Sequence, residues 1–157
     1  MISLSVSEIA EVIGAKLVGD TTVTVSAEVE TDSRLCRKGS LFVAKPGEVT
    51  DGHLFIGNAV DNGAVAAIVE RVTDTQVTQL LVEDAVEALG LLAKHVVAKV
   101  RSKGNLKVVA VTGSNGKTTT KNMLREILSK FGPTVAPQES YNNSVGAPYS
   151  MLKINFD

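Results

Sequence analysis

The chain has 157 residues, 16 Lys and Arg against 17 Asp and Glu, and a formal net charge of −1. Its 44% apolar and 21% charged residues supply a hydrophobic core and exclude a disordered tail. Near-neutral charge with 4% aromatic residues excludes a basic, base-stacking nucleic-acid binder, so no nucleic-acid partner is expected. Cys36 is the single cysteine, which leaves no internal disulfide and no cysteine-cluster metal site. No apolar run reaches the roughly 20 residues of a membrane span. Glu8 and Glu11 interrupt the N-terminal segment where a signal peptide needs an unbroken apolar core. These features predict a cytoplasmic protein without membrane insertion.

In chain order, strand-like and helix-like segments alternate, which predicts an α/β fold. Ser7 is placed to cap a short helix through Ile9, Val12 and Ile13, with Gly14 as its stop. Val23, Val25, Ala27 and Val29 alternate with polar residues, as in a half-buried strand. Residues 40–44 form a short apolar run suited to a buried strand. Asp51-Gly52-His53 precedes Leu54, Phe55, Ala59 and Val60 at helical spacing, closed by Asn62-Gly63. Strands over 65–69 and 79–82 complete a compact α/β unit of about 80 residues.

From Asp84 the pattern changes. Val86, Leu89, Leu92, Ala93, Val96 and Val100 predict a long helix to about Lys103, with basic residues at its C-terminal end. Residues 106–112 are the most strand-like run and lead directly into a glycine loop. A second long helix is predicted from Lys117 through Met123, Leu124, Ile127, Leu128 and Phe131, ended by Gly132-Pro133. Residues 134–136 suit the start of another parallel strand, and 145–152 a further short helix. A boundary near residue 84 divides the chain into domains 1–83 and 84–157. There is no internal repeat.

The strongest chemistry is in Val109-Ala-Val-Thr-Gly113-Ser114-Asn115-Gly116-Lys117-Thr118-Thr119-Thr120. A strand feeding a glycine turn that opens a helix places backbone N–H groups and the positive end of the helix around a phosphate. Lys117 can reach the β- and γ-phosphates, and the Thr118 hydroxyl can ligate a nucleotide-bound Mg²⁺. The general pattern G-x-x-x-x-G-K-[ST] puts its first glycine at position 111, which is Val111. The loop is instead the shorter T-G-x-x-G-K-T-T.

That shorter string resembles the ATP loop of the Mur ligases and of the related folylpolyglutamate synthetases, which form an amide bond through an acyl phosphate. The upstream half supports the Mur branch. Thr31-Asp32-Ser33-Arg34, then Lys38 to Ala44, Pro46-Gly47, Asp51-Gly52-His53 and Asn62-Gly63-Ala64 follow in the order of the family's UDP-sugar-binding N-terminal domain. Taken singly, Asp-Ser-Arg reads as a turn and Asp-Gly-His as a helix start; the order carries the resemblance. Downstream, Tyr141-Asn142-Asn143-Ser-Val-Gly146-Ala-Pro148-Tyr-Ser-Met-Leu152 is similar to the N-N-x-x-G-x-P-x-x-x-L segment of the branch that adds D-alanyl-D-alanine, and Lys121 also fits that branch.

The resemblance implies a small N-terminal α/β domain for the UDP-muramoyl substrate, followed by the beginning of a P-loop ATPase domain with an incomplete parallel sheet. It implies ATP and Mg²⁺ as cofactors, and UDP-MurNAc-peptide and D-Ala-D-Ala as substrates. Gly113, Ser114, Asn115, Gly116, Lys117, Thr118 and Thr119 would bind the nucleotide, with Lys117 catalytic and Thr118 on the metal. Thr31, Asp32, Ser33, Arg34, Asn142 and Asn143 would bind the UDP substrate. The acidic metal ligand of a P-loop site has no counterpart strand here. The chain is therefore expected to be an inactive N-terminal piece of a longer enzyme that is monomeric at full length. The diaminopimelate- or lysine-adding branch and a non-catalytic nucleotide-binding module remain open alternatives.

Overall fold

The structure is a computed structural model and describes residues 1–47, 50–104, 106–137 and 145–156. Its centre is a five-stranded sheet in the order β2-β7-β6-β5-β4. The strands are β2 (Lys16–Val18), β4 (Val29–Glu30), β5 (Ser40–Ala44), β6 (Ala64–Val69) and β7 (Thr78–Leu81). Strands β4 to β7 run parallel, and β2 closes one edge antiparallel to β7. A two-residue ribbon of β1 (Leu4–Ser5) and β3 (Thr24–Val25) lies beside it.

Every residue of β5 is buried, as expected of a parallel strand covered on both faces. Its period-two geometry sends Leu41 and Val43 into one core and Phe42 and Ala44 into another. The larger core joins Leu41, Val43, Ala66, Ile68 and Leu80 to helix α1 (Val6–Ile13) through Val6 and Ile9. The smaller core packs Phe42 and Val69 on Ile56 and Ala59 of α2 (Ile56–Asp61), with the Cys36 side chain. Truncating a side chain as deeply buried as Phe42 costs about 3–5 kcal/mol.

Helix α3 (Ala85–Lys103) follows β7 at once. Asp84 caps it, its carboxylate accepting the N–H groups of Val86 at 2.7 Å and Glu87 at 2.9 Å. Leu89, Leu92, Val96 and Val100 pack into the larger core, so this helix is part of the same packed body as the sheet preceding residue 84. Its spacing gives the helix correctly; which core receives its apolar stripe is a tertiary fact. Helix α5 (Gly146–Met151) then lies on α3 and buries Leu152 in that core.

Several local expectations change. Ser5, not Ser7, caps α1: its hydroxyl accepts the Glu8 N–H at 3.1 Å, while Ser7 Oγ donates to the Thr21 carbonyl. The alternating run from Val23 to Val29 splits into β3 and β4, which belong to different sheets. Residues 106–112 form no ladder with any of the described residues, and Val108 and Val109 are exposed. Residues 134–136 are likewise unpaired, because a strand needs a neighbouring backbone and none among the described residues is supplied. Helix α4 (Lys117–Leu128) consequently has no buried residue, and Met123, Ile127 and Phe131 are exposed.

Candidate functional site

The glycine loop is built by two residues in left-handed backbone. Gly113 has φ 146° and Gly116 φ 76°, conformations that strain any residue with a Cβ. Gly116 occupies the N-cap position of α4, and no side chain caps the helix. The first-turn N–H groups of α4 are thereby left to an external acceptor, at the positive end of the helix dipole. Lys117 folds back over the turn, its Nζ donating to the Gly113 carbonyl at 2.5 Å and the Ser114 carbonyl at 3.3 Å. The ammonium therefore already sits within the loop. Ser114, Asn115, Thr118 and Thr119 are exposed around it. These residues fit a nucleotide phosphate with its Mg²⁺, Thr118 being the hydroxyl at the position next to Lys117. Lys121 donates to the Pro137 carbonyl at 2.5 Å, pinning α4 to the segment that follows it.

A second site is a cavity of about 490 Å³ lined by Thr31, Asp32, Ser33, Arg34, Phe42, Thr50, Phe55 and Asn58. The four residues singled out in the sequence lie together on its wall. Asp32 caps a single 3₁₀ turn (Ser33–Leu35) by accepting the Arg34 N–H at 3.0 Å. Asp32 Oδ1 and Oδ2 also receive Arg34 Nε at 2.9 Å and Nη2 at 2.6 Å, and this guanidinium holds the Asp32 carboxyl below the usual carboxylate range. The Arg34 fork that a diphosphate would use is thus engaged with Asp32, on a side chain 85% exposed. The Ser33 carbonyl accepts Asn62 Nδ2 at 3.1 Å, tying the turn to the end of α2. Phe42, Thr50, Phe55 and Asn58 were not singled out as site residues. The sequence signal for them is that Phe42 lies in the Lys38-to-Ala44 segment and that Thr50, Phe55 and Asn58 lie around the Asp51-Gly52-His53 string.

That string is structural at its centre. Asp51 accepts the His53 N–H at 2.9 Å and His53 Nδ1–H at 2.7 Å, and pairs with Arg71. The Asp51 carboxyl is held far below its usual range, chiefly by the His53 backbone N–H and then by Arg71. His53 Nε2 accepts the Glu70 backbone N–H at 3.0 Å. A Cβ on Gly52 would lie 2.6 Å from the Lys45 carbonyl oxygen, so the turn is open to glycine alone. Among the described residues no group of His, Cys, Asp and Glu could hold a metal ion, and no helix is long and apolar enough to cross a membrane. Asn142 and Asn143 lie outside the described residues.

Residues 26–131 match the Mur ligase family, catalytic domain, and residues 111–156 match the Mur ligase middle domain. The chain belongs to the Mur ligase family. It is similar to UDP-N-acetylmuramoyl-tripeptide–D-alanyl-D-alanine ligase of Haemophilus influenzae, 40% identical over 98% of this chain and 34% of that protein. It is also 43% identical, over 73% of its length, to the 2,6-diaminopimelate ligase of Syntrophomonas wolfei, of which it covers 24%. Among solved structures, MurF from Acinetobacter baumannii superposes with a TM-score of 0.86 at 34% identity, covering 99% of this chain and 34% of that one. MurF from Thermotoga maritima in complex with ADP superposes with a TM-score of 0.69 at 37% identity, over 82% of this chain and 29% of the other. The chain spans about a third of the length of the D-alanyl-D-alanine ligase relatives it matches.

Proposed function

We propose that this chain supplies the UDP-substrate site and the ATP loop of a ligase that adds D-Ala-D-Ala to UDP-MurNAc-tripeptide in the cytoplasm. The observation that carries the reading is the uncapped glycine loop with Lys117 folded inside it. In this reading the loop N–H groups and Lys117 hold the β- and γ-phosphates and stabilise the charge that develops as phosphoryl transfer proceeds. The substrate carboxylate attacks the γ-phosphorus and ADP leaves; the dipeptide amine then attacks the acyl carbon and phosphate leaves. Mg²⁺, when bound, would neutralise phosphate charge, and the Thr118 hydroxyl would hold it.

Thr31, Asp32, Ser33 and Arg34, with Phe42, Thr50, Phe55 and Asn58, receive the UDP-muramoyl substrate, and Asn142 and Asn143 are further substrate-binding residues. Residues 1–83 form the UDP-substrate unit, and 84–157 begin the ATP unit of an enzyme that is monomeric at full length, its helices α3 and α5 packing together and α3 and Leu152 lying in the larger core. Support comes from the nearly complete coverage of this chain by relatives of the D-alanyl-D-alanine branch. The 43% identity to a diaminopimelate ligase favours a second reading in which the acceptor is a diamino acid. Phosphate release by the full-length enzyme, with Mg-ATP and matched UDP-MurNAc-peptides, decides between them. D-Ala-D-Ala is expected to drive release and diaminopimelate is not. The reverse result establishes the second reading, and no release with either overturns both.

A further inference from the structure

We infer that Tyr149 is a positioning residue for the cavity: its hydroxyl, bonded to the buried Glu30, fixes the strand end from which Thr31, Asp32, Ser33 and Arg34 reach the cavity wall. The binding part of this inference rests on reading that cavity as the UDP-substrate site.

β4 is the edge of the sheet, and its ladder is two residues long, Val29 with Leu41 and Glu30 with Phe42. So short a ladder holds its end weakly, and the cavity residues begin at the next position. Glu30 is 7% exposed, and its Oε2 accepts the Tyr149 hydroxyl at 2.8 Å across 119 positions of sequence. A buried carboxylate that loses a donor must find another or move, and movement here displaces Thr31.

The other end of the bond is itself anchored. Tyr149 lies in α5, which packs on α3, and Leu152 just beyond it is buried in the larger core. Ser150 Oγ donates to the Gly146 carbonyl at 2.9 Å, and Lys153 Nζ sits 4.4 Å from the centre of the Tyr149 ring. Lys153, Glu28 and Arg37 are the charges that act on Glu30, and Glu28 is paired with Arg37. The result is a strut. One end stands on the core, and the other holds the last residue before the cavity.

Hydrogen exchange and titration calorimetry on the 157-residue chain test this, with UDP-MurNAc-tripeptide as the probe. Tyr149→Phe is expected to speed amide exchange over residues 29–36 about tenfold and to weaken the probe about five- to tenfold, with β6 amides unchanged. Glu30→Ala should match it, and the double variant should be no worse than Glu30→Ala alone. Glu30→Gln keeps an oxygen acceptor for the hydroxyl and should retain wild-type exchange and affinity. Unchanged exchange over 29–36 in Tyr149→Phe, or equal acceleration over 64–69, overturns the inference. If the unaltered chain fails to bind the probe while Tyr149→Phe still loosens 29–36 alone, the strut stands and the UDP-substrate reading falls.

Discussion

His53 Nε2 accepts the backbone N–H of Glu70 at 3.0 Å, which leaves the ring proton on Nδ1, where it is donated to Asp51. The imidazole side chain is 1% exposed, so each of its polar atoms is satisfied inside the protein. His53→Ala would empty a buried site and strand both the Glu70 N–H and one Asp51 contact. Urea unfolding is expected to show a loss of about 2–4 kcal/mol. A loss below about 0.5 kcal/mol, the range of neutral surface changes, would show that this clamp holds nothing.

Among the described residues, the hydrogen-bond acceptors of Lys117 are the loop's own carbonyls, and its helix has no buried residue. Lys117→Ala should therefore leave thermal unfolding of the chain unchanged. In the full-length enzyme it should lower turnover on the order of 10²–10³, the scale of a lost transition-state charge contact. Near-normal turnover at saturating ATP would remove Lys117 from the chemistry.

Arg34 is exposed and held by Asp32, so its removal costs little stability. Arg34→Ala is expected to raise KM for UDP-MurNAc-tripeptide about tenfold or more, the worth of a charge-assisted contact, while KM for ATP holds. Initial rates with each substrate varied in turn make the check. A change confined to the ATP term would move Arg34 to the other site.

Glu8 joins α1 to α3. Its Oε1 meets Lys99 Nζ at 2.5 Å and His95 Nε2 at 2.8 Å; the Lys99 hydrogen bond is the largest influence and lowers the Glu8 pKa, burial opposes it, and His95 lowers it further. A carboxyl depressed in the folded state contributes stability above its unfolded pKa of 4.5, lost as pH falls below that value. Both partners are part-exposed, so the contribution is about 0.5–1 kcal/mol. Unfolding curves from pH 7 to 3 should show Glu8→Gln less stable than wild type at pH 7, with the gap closing toward pH 3. A gap independent of pH would assign the loss to packing.

Cys36 lies in the smaller core, and burial pushes its thiol up to about 11. Such a thiol is neutral at pH 8 and shielded from reagent. Alkylation by iodoacetamide should be slow in the native chain and fast in urea. Fast native labelling would show that the α2 side of the sheet opens readily.

The glycine loop was legible in the sequence because its chemistry is local. Left-handed Gly113 and Gly116, the lysine after them and the helix they open all fall within a few residues, and no distant partner is needed to form them. The same holds for β5, β6, β7 and α3, whose apolar periods are long enough to name the element. Strands β1 and β2 were missed because two or three residues carry no period, and the ladder that creates them comes from elsewhere in the chain. Residues 106–112 read as the strongest strand yet form none here, since strand propensity becomes structure only through a paired backbone. The cavity shows the same division. Sequence order named Thr31 to Arg34, but only folding brought Phe42, Thr50, Phe55 and Asn58 to the same wall and set the Tyr149 hydroxyl on Glu30. Local backbone conformation is written in neighbouring residues; which side chains share a cavity is decided by the sheet and helices that carry them together.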